Sequence, residues 1–400
     1  MKVAFYAPLK PPGHPVPSGD RAMARLLMAA LAKGNHEVEL ASRLRSREAS
    51  GDQARQAEIA AIGRQQAERL IRRWRTLPAT ARPSLWLTYH LYYKAPDWIG
   101  PRVADALGLA YVVVEASHAP KRTHGPWAEG HAAVEAAIRR ADAVIALNPT
   151  DMGCIRPLVA PDRLHLLKPF LDEGPFQAAM AARLRHKREI MTAYGLDPEQ
   201  PWLLAVGMMR PGDKLASYRV LAEALATLSD RRWQLLVVGD GPARAEVEAV
   251  LASLGQERLR FAGALGAERL AAAYVSSDIM VWPAINEAYG MALLEAQAAG
   301  LPVVAGDSAG VASIVASGAT GILTALGDPA AFANAVRLLL DAPQRCQQMR
   351  HAALTKVAAD HRLAVAATAL DEILLAASLR AQRDAGGRVL ASAQPMSSLS

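Results

Sequence analysis

Short, mostly apolar runs recur along the chain, separated by longer stretches in which apolar and charged positions alternate with a helical period. In the first half the runs are KVAFYAP, HEVELAS, SLWLTYH, AYVVVEAS, ADAVIALN and LHLLKPF. In the second they are PWLLAVG, RWQLLVVGDG, LRFAG, DIMVWP and PVVAG. Runs that stay apolar, instead of alternating, are those of strands covered on both faces. Between them the pattern predicts helices over about 21–33, 53–74, 100–107, 128–140 and 183–194. Strands alternating with helices predict an α/β fold with two doubly wound parallel-sheet, Rossmann-like lobes. The helix over 183–194 stops at Gly195, and Pro198 and Pro201 follow, so the joint between lobes is placed there: 1–195, then 196–360. The stretch 386–400, rich in small and polar residues, is expected to be a disordered tail.

Composition agrees with two soluble lobes. The chain has 400 residues, 52% hydrophobic and 21% charged, too many for one hydrophobic core. Cys154 and Cys346 are its only cysteines, which excludes a disulfide framework and a CxxC metal pair. The opening apolar stretch is too short for a signal peptide and reads as a buried strand. No run approaches the roughly 20 residues of a membrane span. A cytoplasmic protein is expected, meeting any membrane from one side, at its inner surface.

Charge separates the halves. Residues 1–195 carry 28 Lys and Arg against 18 Asp and Glu, and the remainder carries 17 against 20. Clusters within 64–75, at Lys121 and Arg122 and within 183–188 would suit anionic lipid as well as a plain solvated helix face. No zinc-ligand spacing and no aromatic RNA-binding strand accompany them, so nucleic acid is not an expected partner.

The densest chemistry lies in IMVWPAINEAYGMALLEAQAAGLPVVA, where a buried strand ends at Pro283 and a helix is predicted from about Tyr289 to Ala299. Gly290 allows close backbone approach. The first-turn amides of Met291, Ala292 and Leu293 point outward without partners, as a diphosphate requires. Glu287 precedes the helix and Glu295 lies within it, eight residues on, and paired carboxylate acceptors match vicinal sugar hydroxyls. An acidic residue near a helix start is also ordinary stabilisation. The surroundings therefore have to decide.

The run EAYGMALLEAQAAGLPVVA, with GVASIV and GATGILT after it and LLVVGDGPARAEVE before it, resembles the donor-binding region of the family 4 glycosyltransferases across about 202–340. That resemblance implies the GT-B architecture, with a cleft between lobes and a last helix, 361–385, crossing back to the N-terminal lobe. It also implies retaining transfer of a hexosyl group from a nucleotide diphosphate sugar, with no metal and no cofactor beyond that donor. The acceptor is left open. A sugar-nucleotide epimerase of the same fold, or a non-catalytic binder of anionic ligands, would share the lobes.

Candidate residues follow from loops after strands. MMRPGDKLASY places Arg210 and Lys214 where cations would clamp a diphosphate, although Met208 stands where the family has its Arg. Gly239 and Gly241, in GDGPAR, permit close approach to a nucleotide. In the first half Gly19 matches one of the family's paired glycines, with Asp20 in place of the second. His118, after AYVVVEAS, occupies the place of a family histidine near the reacting sugar and is read as a donor to a hydroxyl, not a metal ligand. Glu115, Lys121 and His90 are further acceptor-side candidates. Catalytic roles are assigned to Glu287, Lys214, Arg210 and His118; binding of the nucleotide sugar is assigned to Glu295, Gly290, Met291, Ala292, Leu293, Gly239, Gly241 and Gly19.

Overall fold

A computed structural model describes residues 1–16, 18–287 and 289–392, with side chains as far as Arg383. The apolar runs become two six-stranded sheets. The first contains β1 (Lys2–Tyr6), β2 (Glu37–Leu40), β3 (Leu85–Leu91), β4 (Ala110–Ala116), β5 (Ala143–Ala146) and β6 (Leu164–Leu166), in the order β2-β1-β3-β4-β5-β6. The second contains β7 (Trp202–Val206), β8 (Gln234–Val238), β9 (Leu259–Gly263), β10 (Ile279–Trp282), β11 (Val303–Gly306) and β12 (Gly321–Thr324), in the order β12-β11-β10-β7-β8-β9. Every strand pair is parallel. The expected α/β class with two doubly wound sheets is therefore observed.

Several helices begin where a side chain satisfies an orphan backbone amide. Ser18 caps the Gly19–Lys33 helix by accepting from the Arg21 amide, and Asp52 and Asp328 do the same at Gln53–Arg75 and Pro329–Leu340. Gly195 ends the Arg183–Tyr194 helix in the left-handed region that a residue with a Cβ rarely adopts. Trp74 and Trp86 anchor the first core; Trp202, Trp233 and Trp282 anchor the second.

The chain divides into two compact units, Met1–Leu167 with everything from Leu363 on, and Lys168–Arg362. The break thus lies at 167/168, whereas the sequence places it near 195. Residues 168–195 side with the second unit because their apolar faces are buried on it. Phe176 meets Tyr274 edge to face at 6.0 Å, and Arg183 Nε donates to the Val275 carbonyl at 2.7 Å. The final helix, Leu363–Ser392, belongs to the first unit, where it packs on the Gly19–Lys33 helix and β4. Its Leu370, Leu374 and Ala377 are buried, and Arg380 pairs with Asp162 at 3.0 Å. Of the expected tail, 386–392 continue this helix and 393–400 lie outside the described residues. Among the described residues no helix is long and apolar enough to cross a membrane.

Candidate active site

In each sheet the strand order reverses once, between β1 and β3 in the first and between β7 and β10 in the second. Helices leave such a pair toward opposite faces, which opens a crevice beyond the carboxyl ends of the strands. Lys214 follows β7 and Glu287 follows β10, so they come from either side of the second sheet's switch point. They form an ion pair, Lys214 Nζ to Glu287 Oε2, with both side chains largely buried. Trp282 Nε1 donates to the same oxygen at 3.3 Å, and Lys214 Nζ stands 5.4 Å from the Trp282 ring centroid. Glu287 Oε1 takes no hydrogen bond from any described group.

The loop that carries Glu287 is over-determined. Ala284 and Asn286 both have left-handed backbone, at φ 55° and 48°, a strained conformation for a residue with a side chain. Three contacts compensate. Asn286 Nδ2 donates to Asp213 Oδ1 at 3.0 Å, the Ile285 amide donates to Ser217 Oγ at 3.1 Å, and Ser308 Oγ donates to the Glu287 carbonyl at 3.2 Å. Asp213, Ser217, Asn286, Ser308 and Trp282 thereby position the pair. Sequence reasoning missed all five, since each is an ordinary strand, loop or helix residue until the fold brings them together.

Glu295 lies one turn into the Met291–Ala298 helix and accepts from Tyr274 Oη at 2.8 Å. Burial pushes this carboxyl up to about 7, against the lowering effect of the tyrosine. Gly290 caps the helix in the left-handed region, at φ 70°. The Met291 and Ala292 amides have no acceptor among the described residues. Leu293 differs from expectation: its N–H bonds the Gly290 carbonyl at 2.8 Å, because the left-handed cap tightens the first turn. Arg210 is exposed and makes no side-chain hydrogen bond or ion pair with the described residues.

Gly239 and Gly241 have an internal reason to be glycine. A Cβ at Gly239 would stand 1.9 Å from the Gly207 carbonyl oxygen, and one at Gly241 would stand 2.3 Å from that of Met209. The loops after β7 and β8 are packed backbone to backbone, with the Met209 amide donating to the Asp240 carbonyl at 3.0 Å. Gly19 is the opposite case. It opens its helix with nothing within 4 Å of an added Cβ.

In the first unit the switch point joins Asp20, after β1, to His90, at the end of β3, at 3.0 Å; Glu115 of β4 lies 3.7 Å from the same His90 nitrogen. Burial would lower the His90 pKa, but the Asp20 hydrogen bond and the Glu115 charge raise it. His90 and Glu115 both have left-handed backbone, at φ 64° and 59°. His118 lies in the loop after β4, with Nε2 3.2 Å from Glu135 Oε2. The Arg139 hydrogen bond, then that of His118, holds Glu135 below its usual carboxylate value. Lys121 is exposed in the turn that follows.

Residues 200–342 match the family described as Glycosyl transferases group 1. This segment is a glycosyl transferases group 1 domain. The chain is 30% identical over 243 residues to alpha-D-kanosaminyltransferase of Streptomyces kanamyceticus, covering 60% of each chain. It is 36% identical over 196 residues to D-inositol 3-phosphate glycosyltransferase 2 of Catenulispora acidiphila, covering 46% of this chain and 44% of that one. The chain thus spans about half the length of these relatives. The crystal structure of Anabaena HepE in complex with UDP-glucose superposes with a TM-score of 0.65 at 16% identity, over 94% of this chain and 99% of that one. This likeness supports the GT-B fold. The group 1 domain contains Lys214, Glu287 and Glu295, and its limits enclose all six strands of the second sheet.

Proposed function

We propose that the protein is a retaining, metal-independent glycosyltransferase that takes a hexosyl group from a nucleotide diphosphate sugar. The observation that carries this reading is the Lys214–Glu287 pair across the β7/β10 switch point, with the helix that starts at Met291 following Glu287 in the chain. An unengaged carboxylate oxygen on Glu287 suits a hexose hydroxyl. Lys214 Nζ, with protons to spare, and the helix amides suit a diphosphate that gains negative charge as the anomeric bond breaks. Arg210, free at the rim, supplies a second cation. Glu295 Oε1 is left to the ribose, and Gly290 lets the backbone approach. The relatives named as kanosaminyl- and inositol-phosphate glycosyltransferases, and HepE solved with UDP-glucose, support a donor of this class.

Gly19 and His118 are assigned to the sugar side of the reaction, His118 through its Nδ1–H. No protein nucleophile is invoked. The acceptor hydroxyl enters on the face the diphosphate leaves, and a phosphate oxygen takes its proton. The basic first unit is assigned the acceptor, and a peripheral contact with anionic lipid, on the inner side of a membrane, fits its charge.

Thermal-shift screening with uridine, guanosine and adenosine diphosphate sugars identifies the donor. With that donor, Glu287→Gln and Lys214→Ala should each reduce kcat/KM by about 100-fold or more, the size of losing one transition-state contact, at nearly unchanged melting temperature. NMR of the product should show the donor's anomeric configuration. Full activity in both variants rejects the assignment, and release of an epimerised sugar nucleotide without acceptor replaces it with epimerisation.

A further inference from the structure

His118, His131 and Glu135 form a cluster whose geometry exceeds what one sugar contact needs. His131 and Glu135 are one turn apart on the Ala128–Arg140 helix, and His118 reaches them from the loop after β4. One ligand-type atom from each residue lies within 4.8 Å of the other two. The His118 Nε2 to Glu135 Oε2 separation is 3.2 Å. Two ligands of a tetrahedral zinc ion, at bonds of about 2.0–2.1 Å, stand roughly 3.3 Å apart, so this edge is already at coordination length.

The rest of the cluster is oriented from outside. His131 is 3% exposed, and its Nε2 is shielded from solvent without a hydrogen bond to any described group. A hydrogen bond from the His131 ring to the Ala119 backbone leaves Nε2 as the nitrogen with the lone pair, and the His131 ring stands 4.8 Å, centroid to centroid, from that of His118. Glu135 gives Oε1 to Arg139, Nε at 3.0 Å and Nη2 at 2.9 Å, and so keeps Oε2 toward the histidines. Outer partners that fix one ring nitrogen or one carboxylate oxygen are what metal ligands have. A bare desolvated imidazole nitrogen is otherwise a cost with no return.

We propose that His118, His131 and Glu135 bind one divalent transition-metal ion, zinc by ligand type, with a fourth position open to water at the exposed side of Glu135. The ion displaces the proton shared between His118 and Glu135 and ties the loop after β4 to the Ala128–Arg140 helix. His118 Nδ1–H stays available to a hydroxyl, and the ion has no part in holding the donor's diphosphate. The Arg139 charge opposes a cation here, so affinity is expected in the micromolar range, below that of structural zinc sites.

The test is calorimetric titration of the chelator-treated full chain with zinc chloride, paired with the visible spectrum of the cobalt(II) form. One equivalent should bind, with the intense d–d bands of four-coordinate cobalt(II). His131→Gln should weaken binding by at least about tenfold, the loss an outer partner alone can cause, while His351→Gln on the surface should not change it. Glu135→Gln, at a half-exposed position, gives the same readout if His131→Gln does not fold. Wild-type protein without stoichiometric binding, or undiminished wild-type affinity in the His131 and Glu135 variants, overturns the proposal. Glu287→Gln must leave the isotherm unaltered, which separates this result from the donor reading.

Discussion

The carboxylates of Glu287 and Glu295 lie on one loop and helix, yet their surroundings give them different chemistry. Glu287 is paired with Lys214, whereas Glu295 has only a neutral tyrosine for company and is pushed up to about 7 by burial. A ribose diol is best held by the ionised form, so donor affinity should rise between pH 6 and pH 8, approaching tenfold per unit below the carboxyl's own value. Glu295→Gln should flatten that dependence, which calorimetry of donor binding at several pH values reads directly. The same raised value works against stability as the group ionises. Its folded pKa lies above the unfolded one, so its contribution is full below about pH 4.5 and is lost as pH rises through about 7, by something on the order of 3 kcal/mol. Chemical denaturation of wild type and Glu295→Gln at pH 5 and pH 8 should show the gap. That both residues are acidic and eight apart was legible in the chain; that one is paired and the other desolvated depends on Lys214 and Tyr274, 73 and 21 positions away.

Elements explain why the glycines behave differently. Gly239 is forced by the carbonyl of Gly207 in the neighbouring strand-end loop, so Gly239→Ala should destabilise the second unit by on the order of 3 kcal/mol, measured by denaturant unfolding. Gly19 has open space beside it, so Gly19→Ala should leave the melting temperature within about 1 °C, consistent with the small effect of an unstrained surface change. If it nonetheless lowers transfer, the lost volume belonged to a ligand. Both glycines look alike in sequence, each in a strand-end loop before a helix. Only the adjacent loop distinguishes them. The switch points share this property. Strands and helices were readable from apolar runs and caps, but that β10 sits beside β7 and not β9 is a pairing choice, and it alone brings Lys214 to Glu287.

For the molecule as a whole, the chain leaves the first unit at Leu167 and returns at Leu363, so the last helix completes a core begun hundreds of residues earlier. Leu374→Ala, in that helix, should cost about 2–5 kcal/mol and melt the first unit, a loss that hydrogen exchange would localise to β4 and the Gly19–Lys33 helix. The sequence by itself determined the α/β class, the number of sheets, nearly all the strands, and a loop-helix segment with two carboxylates fit for a sugar nucleotide, because these depend on local periodicity and on backbone groups exposed at helix starts. Tertiary structure alone decided which strands are neighbours, that 168–195 join the second unit, that the Leu293 amide is spent inside its own turn, and that His131 and Glu135 converge on His118. Those outcomes rest on burial and pairing between segments far apart in the chain, and no local pattern encodes them.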